Sequence, residues 1–154
     1  MPNQSITPDQ VDVRGPRFTA WVTTAVLVIA LLVSAFSSVA AAILLGIQAA
    51  VFAVGALGGP RKNPYGRVFA TFVAPRLGPV TEREPVPPLK FAQLVGLVFA
   101  VAATVGFATG LVALGLAATA LALVAAFLNA AFGICLGCRL YPLVTHLRST
   151  ASTA

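Results

Sequence analysis

Polar and apolar positions fall into long separate blocks along this chain. Phe18–Leu57 and Phe91–Cys138 contain no Asp, Glu, Lys or Arg. A helix crosses a bilayer with about 20 apolar residues, and each block is about twice that length. Each is therefore predicted to form a helical hairpin. The lipid interior admits only helices or closed barrels, and the Ala, Leu and Val runs lack the strict alternation of barrel strands. The expected fold is all-α: an integral membrane protein with four transmembrane helices, two helical hairpins joined by a loop. Ala35-Phe36-Ser37-Ser38 and Gly106–Gly110 are the expected turns, because small and polar residues loosen helix ends there.

The same pattern divides the chain into a polar tail (1–17), a first hairpin (18–57), a loop (58–90), a second hairpin (91–138) and a second tail (139–154). Residues 1–13 hold Pro2 and Pro8 and are expected to lack fixed structure. Asn3-Gln4-Ser5 there matches a glycosylation sequon, read as chance on a cytoplasmic tail. In the loop, Asn63 is a helix cap and Pro64 suits a first helical position. Tyr65, Val68, Phe69, Phe72 and Val73 then recur at helical spacing. A short amphipathic helix near 64–74 is expected, lying in the headgroup layer or docking a partner. Pro79–Pro88 reads as an extended spacer with Glu82, Arg83 and Glu84 as solvated charges. Basic lead-in, apolar hairpin and an aromatic-containing end recur in both halves, which admits a parallel repeat.

Composition makes lipid the solvent. The 154 residues are 58% hydrophobic and only 9% charged, against roughly 25% charged in a soluble domain. The ten Lys and Arg fall in three segments: Arg14 and Arg17; Arg61, Lys62, Arg67, Arg76, Arg83 and Lys90; Arg139 and Arg148. The predicted turns carry none. Four spans put these segments on one face, which the positive-inside rule makes cytoplasmic. The net charge of +6 is thus a topology signal, and no nucleic-acid partner is expected. Arg14 and Arg17 before an apolar stretch and Ser37–Ala42 also imitate a cleaved secretory signal. The apolar run is longer than such signals carry, so the segment is read as a span.

Little chemistry remains inside the spans. Gln48 and Asn129 are the polar residues that stand out, read as interhelical hydrogen-bonding groups or as part of a ligand or ion path. With no Asp, Glu, Lys, Arg or His deep in either block, a proton relay lacks its usual residues. Gly46, Gly55 and Gly106 open small-xxx-small patterns that permit close helix approach.

The chemically capable pair is Cys135-Leu136-Gly137-Cys138, at the end of the second block. On a cytoplasmic face a permanent structural disulfide is not expected. Three readings stay open. The first is a redox-active dithiol with Cys135 and Cys138 as the reacting pair. The second is a metal half-site, in which Cys135 and Cys138 supply two thiolates and His146 or a second subunit adds more. The third is two small residues at a helix end. Arg139 stands where haem attachment requires His, and its charge favours thiolate. A helix running through the motif would disfavour thiolate; a break at Gly133 or Gly137, starting a new helix, would favour it.

Asp12–Phe18, Asn63-Pro64-Tyr65-Gly66-Arg67, Pro75–Pro79, Pro88–Gln93 and Asn129–Cys138 together resemble the DUF4395 family of small bacterial membrane proteins, common in actinobacteria. The resemblance covers most of the chain and implies a membrane location, with no activity attached. Members often carry an acidic residue directly after the second Cys, where this chain has Arg139; an acid is then not essential to the thiol chemistry.

The functional expectation is a multi-pass inner-membrane protein with both termini cytoplasmic. Its dithiol would exchange disulfide or sulfane sulfur with a cytoplasmic thiol or sulfur-carrier protein. The alternatives are a non-catalytic structural or docking subunit of a membrane complex and a metal-binding homo-oligomer, a dimer with paired CxxC motifs. Whether it is an enzyme stays open, and the pattern implies no organic cofactor.

Overall fold

The structure, a computed structural model, describes residues 9–153. The sequon and the two N-terminal prolines lie outside the described residues. Among the described residues, four helices are long and apolar enough to cross a membrane: α1 (Arg14–Ser34), α2 (Ser38–Gly58), α4 (Val86–Ala108) and α5 (Val112–Phe132). Between α2 and α4 lie the short α3 (Pro64–Val68), a π-helical turn (Phe69–Val73), a 3-10 turn (Ala74–Arg76) and a strand β2 (Arg83–Pro85). Strand β1 (Gln10–Asp12) precedes α1, and α6 (Leu136–Ser152) ends the chain.

The first two spans are separated by Ala35, Phe36 and Ser37. Ser37 adopts an extended conformation and its hydroxyl accepts the Ala40 N–H at 3.1 Å, starting α2. The second pair is separated by Thr109, Gly110 and Leu111, with Gly110 at φ +81°. The spans form a ring: α2 packs on α4, α4 on α5, α5 on α1 and α1 on α2. Its centre is built on small side chains. Ala30, Ala41, Ala103, Ala118 and Ala122 surround Leu27, Leu45 and Phe107. Lipid offers helices no hydrophobic drive to associate, so close approach through small residues supplies the contact. Buried Thr24 and Thr119 satisfy their hydroxyls on the carbonyls four residues earlier, Ala20 and Gly115, at 2.8 and 2.7 Å. Large apolar residues point outward instead: Ile29, Leu32, Ile43, Ile47, Val98 and Leu121 are all exposed. This is the inverse of a soluble bundle and suits a lipid-facing surface.

The segments outside the spans are more ordered than their sequence suggests. β1 pairs antiparallel with β2, Val11 opposite Glu84. Residues 9–13 are therefore held, and the proline-rich stretch is not a plain spacer. Arg14 forks onto both carboxylate oxygens of Asp12 (2.8–3.0 Å) and onto the Gly78 carbonyl. Arg61 reaches Asp9 and the Gln10 carbonyl. Pro87 and Pro88 fall in the first turn of α4, where a missing N–H costs nothing.

The loop helix also differs from expectation. Asn63 caps it, its Oδ1 accepting the Tyr65 N–H at 2.9 Å, and Pro64 opens it. After Val68 the backbone widens into the π-helical turn, and the expected single apolar face splits. Phe69 turns inward against Phe18, ring centroids 5.7 Å apart, while Val68 and Phe72 are exposed. The C-terminal segment, read as a tail, is a 17-residue helix.

Candidate functional site

α5 ends where Gly133 takes φ +68°, a left-handed conformation that glycine adopts without a Cβ penalty. Its N–H donates to the Asn129 carbonyl and the Ile134 N–H to the Leu128 carbonyl, both at 3.1 Å. The chain then turns, and Cys135, extended at φ −84°, ψ 101°, becomes the N-cap of α6. An extended residue followed by a helical turn brings positions 135 and 138 together, with Cα atoms 5.2 Å apart. The two sulfurs are joined as a disulfide. The expectation of a resting dithiol came from the redox compartment; the local backbone itself favours closure.

Cys135 Sγ also accepts the Cys138 N–H at 3.2 Å, and the Arg139 N–H donates to the Cys135 carbonyl at 3.1 Å. The pair thus sits at a helix N-terminus, where partial positive charge favours a thiolate. Pro142 lies four residues after Cys138 and has no N–H to give its carbonyl. The first turn of α6 is thereby tied less tightly to the rest of the helix. Arg139 is exposed on that turn. His146 is exposed two turns further on, and among the described residues no three of His, Cys, Asp and Glu come together.

α6 is held mainly by α4. A Cβ on Gly137 would meet the Ala92 Cα at 2.6 Å, so the Gly of the motif is the point of closest approach. Tyr141 adds a tilted contact with Phe91, centroids 5.9 Å apart. Behind Cys135 lies a cavity of about 320 Å³ between the spans. Its wall includes Thr19 and Thr23 of α1, Phe52 of α2, Gln93 and Phe99 of α4, Ala126 and Asn129 of α5, and Cys135, Leu136 and Gly137. Among the described residues, no Asp, Glu, Lys, Arg or His lines it.

The amides of Asn63 and Gln93 border this cavity, and a Tyr65–Gln48 pair lies beyond it. Asn63, 1% exposed, donates through Nδ2 to Gln93 Oε1 at 3.1 Å and weakly to the Val51 carbonyl. Tyr65 donates its hydroxyl to Gln48 Oε1 at 2.8 Å, and burial pushes that hydroxyl above its ordinary pKa of 10.0. Gln48 is 1% exposed, and its Nε2 has no partner among the described residues. Gln48 is thus bonded to the loop helix, while Asn129 is brought to the cavity beside the cysteines. Sequence reading gave Asn63 a capping role only and did not single out Gln93. The available signal was an amide three residues inside an apolar block, since a lone polar group there must find a partner.

Around this site the charges are placed unevenly. The Arg14 guanidinium holds the Asp12 carboxyl below its ordinary 3.8. Burial pushes the Glu84 carboxyl above its ordinary 4.5, with Arg17 partly opposing. Arg17 also reaches the Ala130 carbonyl in the last turn of α5, at 3.4 Å.

No curated protein and no solved structure matches the chain. The model of one family, described as a domain of unknown function (DUF4395), matches residues 11–146, a span that takes in all four membrane-spanning helices and the cysteine pair. The chain belongs to the DUF4395 family.

Proposed function

We propose that this protein is a membrane-held disulfide partner that exchanges thiols with a soluble protein on the cytoplasmic side through Cys135 and Cys138. The observation that carries it is the pair at the start of α6, with the Cys135 sulfur accepting the Cys138 N–H. A partner thiolate attacks Cys138 Sγ, the S–S bond breaks, and Cys135 leaves as a thiolate held by that N–H. A lower-pKa thiol is the better leaving group. A second partner thiolate then attacks the partner's own sulfur in the mixed disulfide, releasing Cys138. The partner is oxidised by two electrons and the pair is reduced. Arg139 adds a positive charge on the same turn. The cytoplasmic side is supported by the ten basic residues, none of which lies in a turn between paired spans.

The test uses the full chain in cells. Cys135→Ser leaves Cys138 as a lone thiolate that attacks the disulfide form of the partner, the reverse of the second step, and is expected to trap a soluble protein in a mixed disulfide visible on a non-reducing gel. The double Cys→Ser variant should trap none. Single variants with inert thiols that trap nothing overturn the reading. A second reading, a docking subunit without thiol chemistry, is favoured by exposed Val68 and Phe72 on the loop segment. It expects the same complexes to be recovered whether or not the cysteines are present.

A further inference from the structure

The cavity behind Cys135 has no role in protein–protein thiol exchange, yet one wall of it is that cysteine. We propose that it is a binding site for the ring of a lipid-soluble quinone, which takes up the electrons that the pair collects. This rests on the thiol-exchange reading above and names the acceptor for it.

Three observations converge on that chemical class. The cavity, at about 320 Å³, lies at the small end of ligand pockets (roughly 300–1,000 Å³), which fits one or two fused rings. Its lining is apolar apart from hydroxyls, amides and the Cys135 sulfur, with no Asp, Glu, Lys, Arg or His among the described residues, so a charged ligand would be buried without a counter-ion. The amides suit two carbonyl oxygens at separated points. Gln93 accepts from Asn63 through Oε1, which leaves its Nε2 as a donor, and Asn129 stands on the facing helix. The outer faces of the spans are apolar and suit lipid, where such a molecule is dissolved.

The reaction balances with two electrons and two protons. The Cys135 and Cys138 thiols lose both S–H protons and two electrons as the S–S bond forms. The quinone carbonyl oxygens gain two O–H bonds, and the hydroquinone leaves into lipid. Exchange with the soluble partner reduces the pair again.

The experiment uses purified full-length protein in nanodiscs and tetramethyl-1,4-benzoquinone, whose ring carbons are all blocked against thiol addition. Reduced protein is expected to become oxidised with saturating dependence on quinone, with one hydroquinone formed per disulfide. Ala126→Phe, which fills the cavity, should abolish saturation. Asn129→Leu, close in shape, should raise the half-saturating concentration about fivefold, the worth of one neutral hydrogen bond. Equilibrium dialysis with the double Cys→Ser protein reads binding without chemistry. Glutathione exchange by wild-type protein reads the thiol pair without quinone. Absence of saturable binding, with glutathione exchange intact, overturns the quinone site alone. Binding without oxidation overturns the electron transfer. Oxidation that is unsaturable and unchanged in both cavity variants overturns the site. Inert thiols toward glutathione overturn the thiol-exchange reading instead.

Discussion

Gly137 sets how closely α6 can approach α4. An added methyl would stand 2.6 Å from the Ala92 Cα, and neither partner is a flexible side-chain end. Gly137→Ala is therefore expected to push α6 outward and cost about 1–3 kcal/mol, the usual price of overpacking. A lowered melting temperature of the full chain in detergent, with faster reduction of the disulfide by dithiothreitol, is the check; an unchanged Tm contradicts the contact. Glu84 makes the opposite case. Its carboxyl is raised above 4.5 mainly by burial, so its folded form prefers the proton. Stability tied to it rises as pH falls through the raised value and is reduced above it. Glu84→Gln should melt higher than wild type at pH 7, and the gap should close on acidification, when both side chains are neutral. Asp12 runs the other way. Held below 3.8 by Arg14, it contributes stability above that pH that is lost as pH falls further.

The end of α5 decides where the cysteines stand. Gly133 at φ +68° stops the helix and lets Cys135 cap the next one. Substitutions there should rank by tolerance of the left-handed region. Gly133→Asn is expected to cost least, Gly133→Ala about 1 kcal/mol, and Gly133→Val more. Thermal melts of the three variants test the order, and equal losses would contradict a conformational cause. The four spans were legible because hydropathy averages over many residues and a misplaced one changes little. α6 was not. Pro142 and the mostly polar stretch Thr145–Thr150 read as a tail, and the apolar positions Leu136, Leu140, Leu143 and Leu147 form only a narrow, exposed stripe. The π-helical turn was equally hidden, since side chains at helical spacing carry no mark of one wider turn, and Phe69 is buried while Val68 and Phe72 are exposed. The break at Gly133 was visible as an alternative, but only its φ decides between a helix end and a helix start at the cysteines.

Adjacency among the spans gives the molecule its internal order. α1 leans on α5, with Trp21 and Phe127 in edge contact at 6.2 Å between ring centroids. In the double Cys→Ser background, Cys at 21 and 127 should cross-link readily with a short bis-maleimide. Cys at 21 and 98 should not, because α1 and α4 sit across the ring and Val98 faces outward. Equal yields would overturn the arrangement. The cavity escaped sequence reading for a related reason. Ala126, Thr23 and Phe99 resemble any residues at helix contacts, and only the ring geometry leaves space among them. The clasp between β1 and β2 escaped because three-residue strands with a proline carry no periodic signal. That clasp has a consequence for biosynthesis. Val11 leaves the ribosome long before Glu84 exists, and α1 likewise precedes α5. The first two spans must therefore enter the membrane with their N-terminal strand unpaired and one flank of α1 uncovered. Only when the last span arrives can the ring close, so the cysteine pair, next in line, reaches its place after everything it leans on has been made.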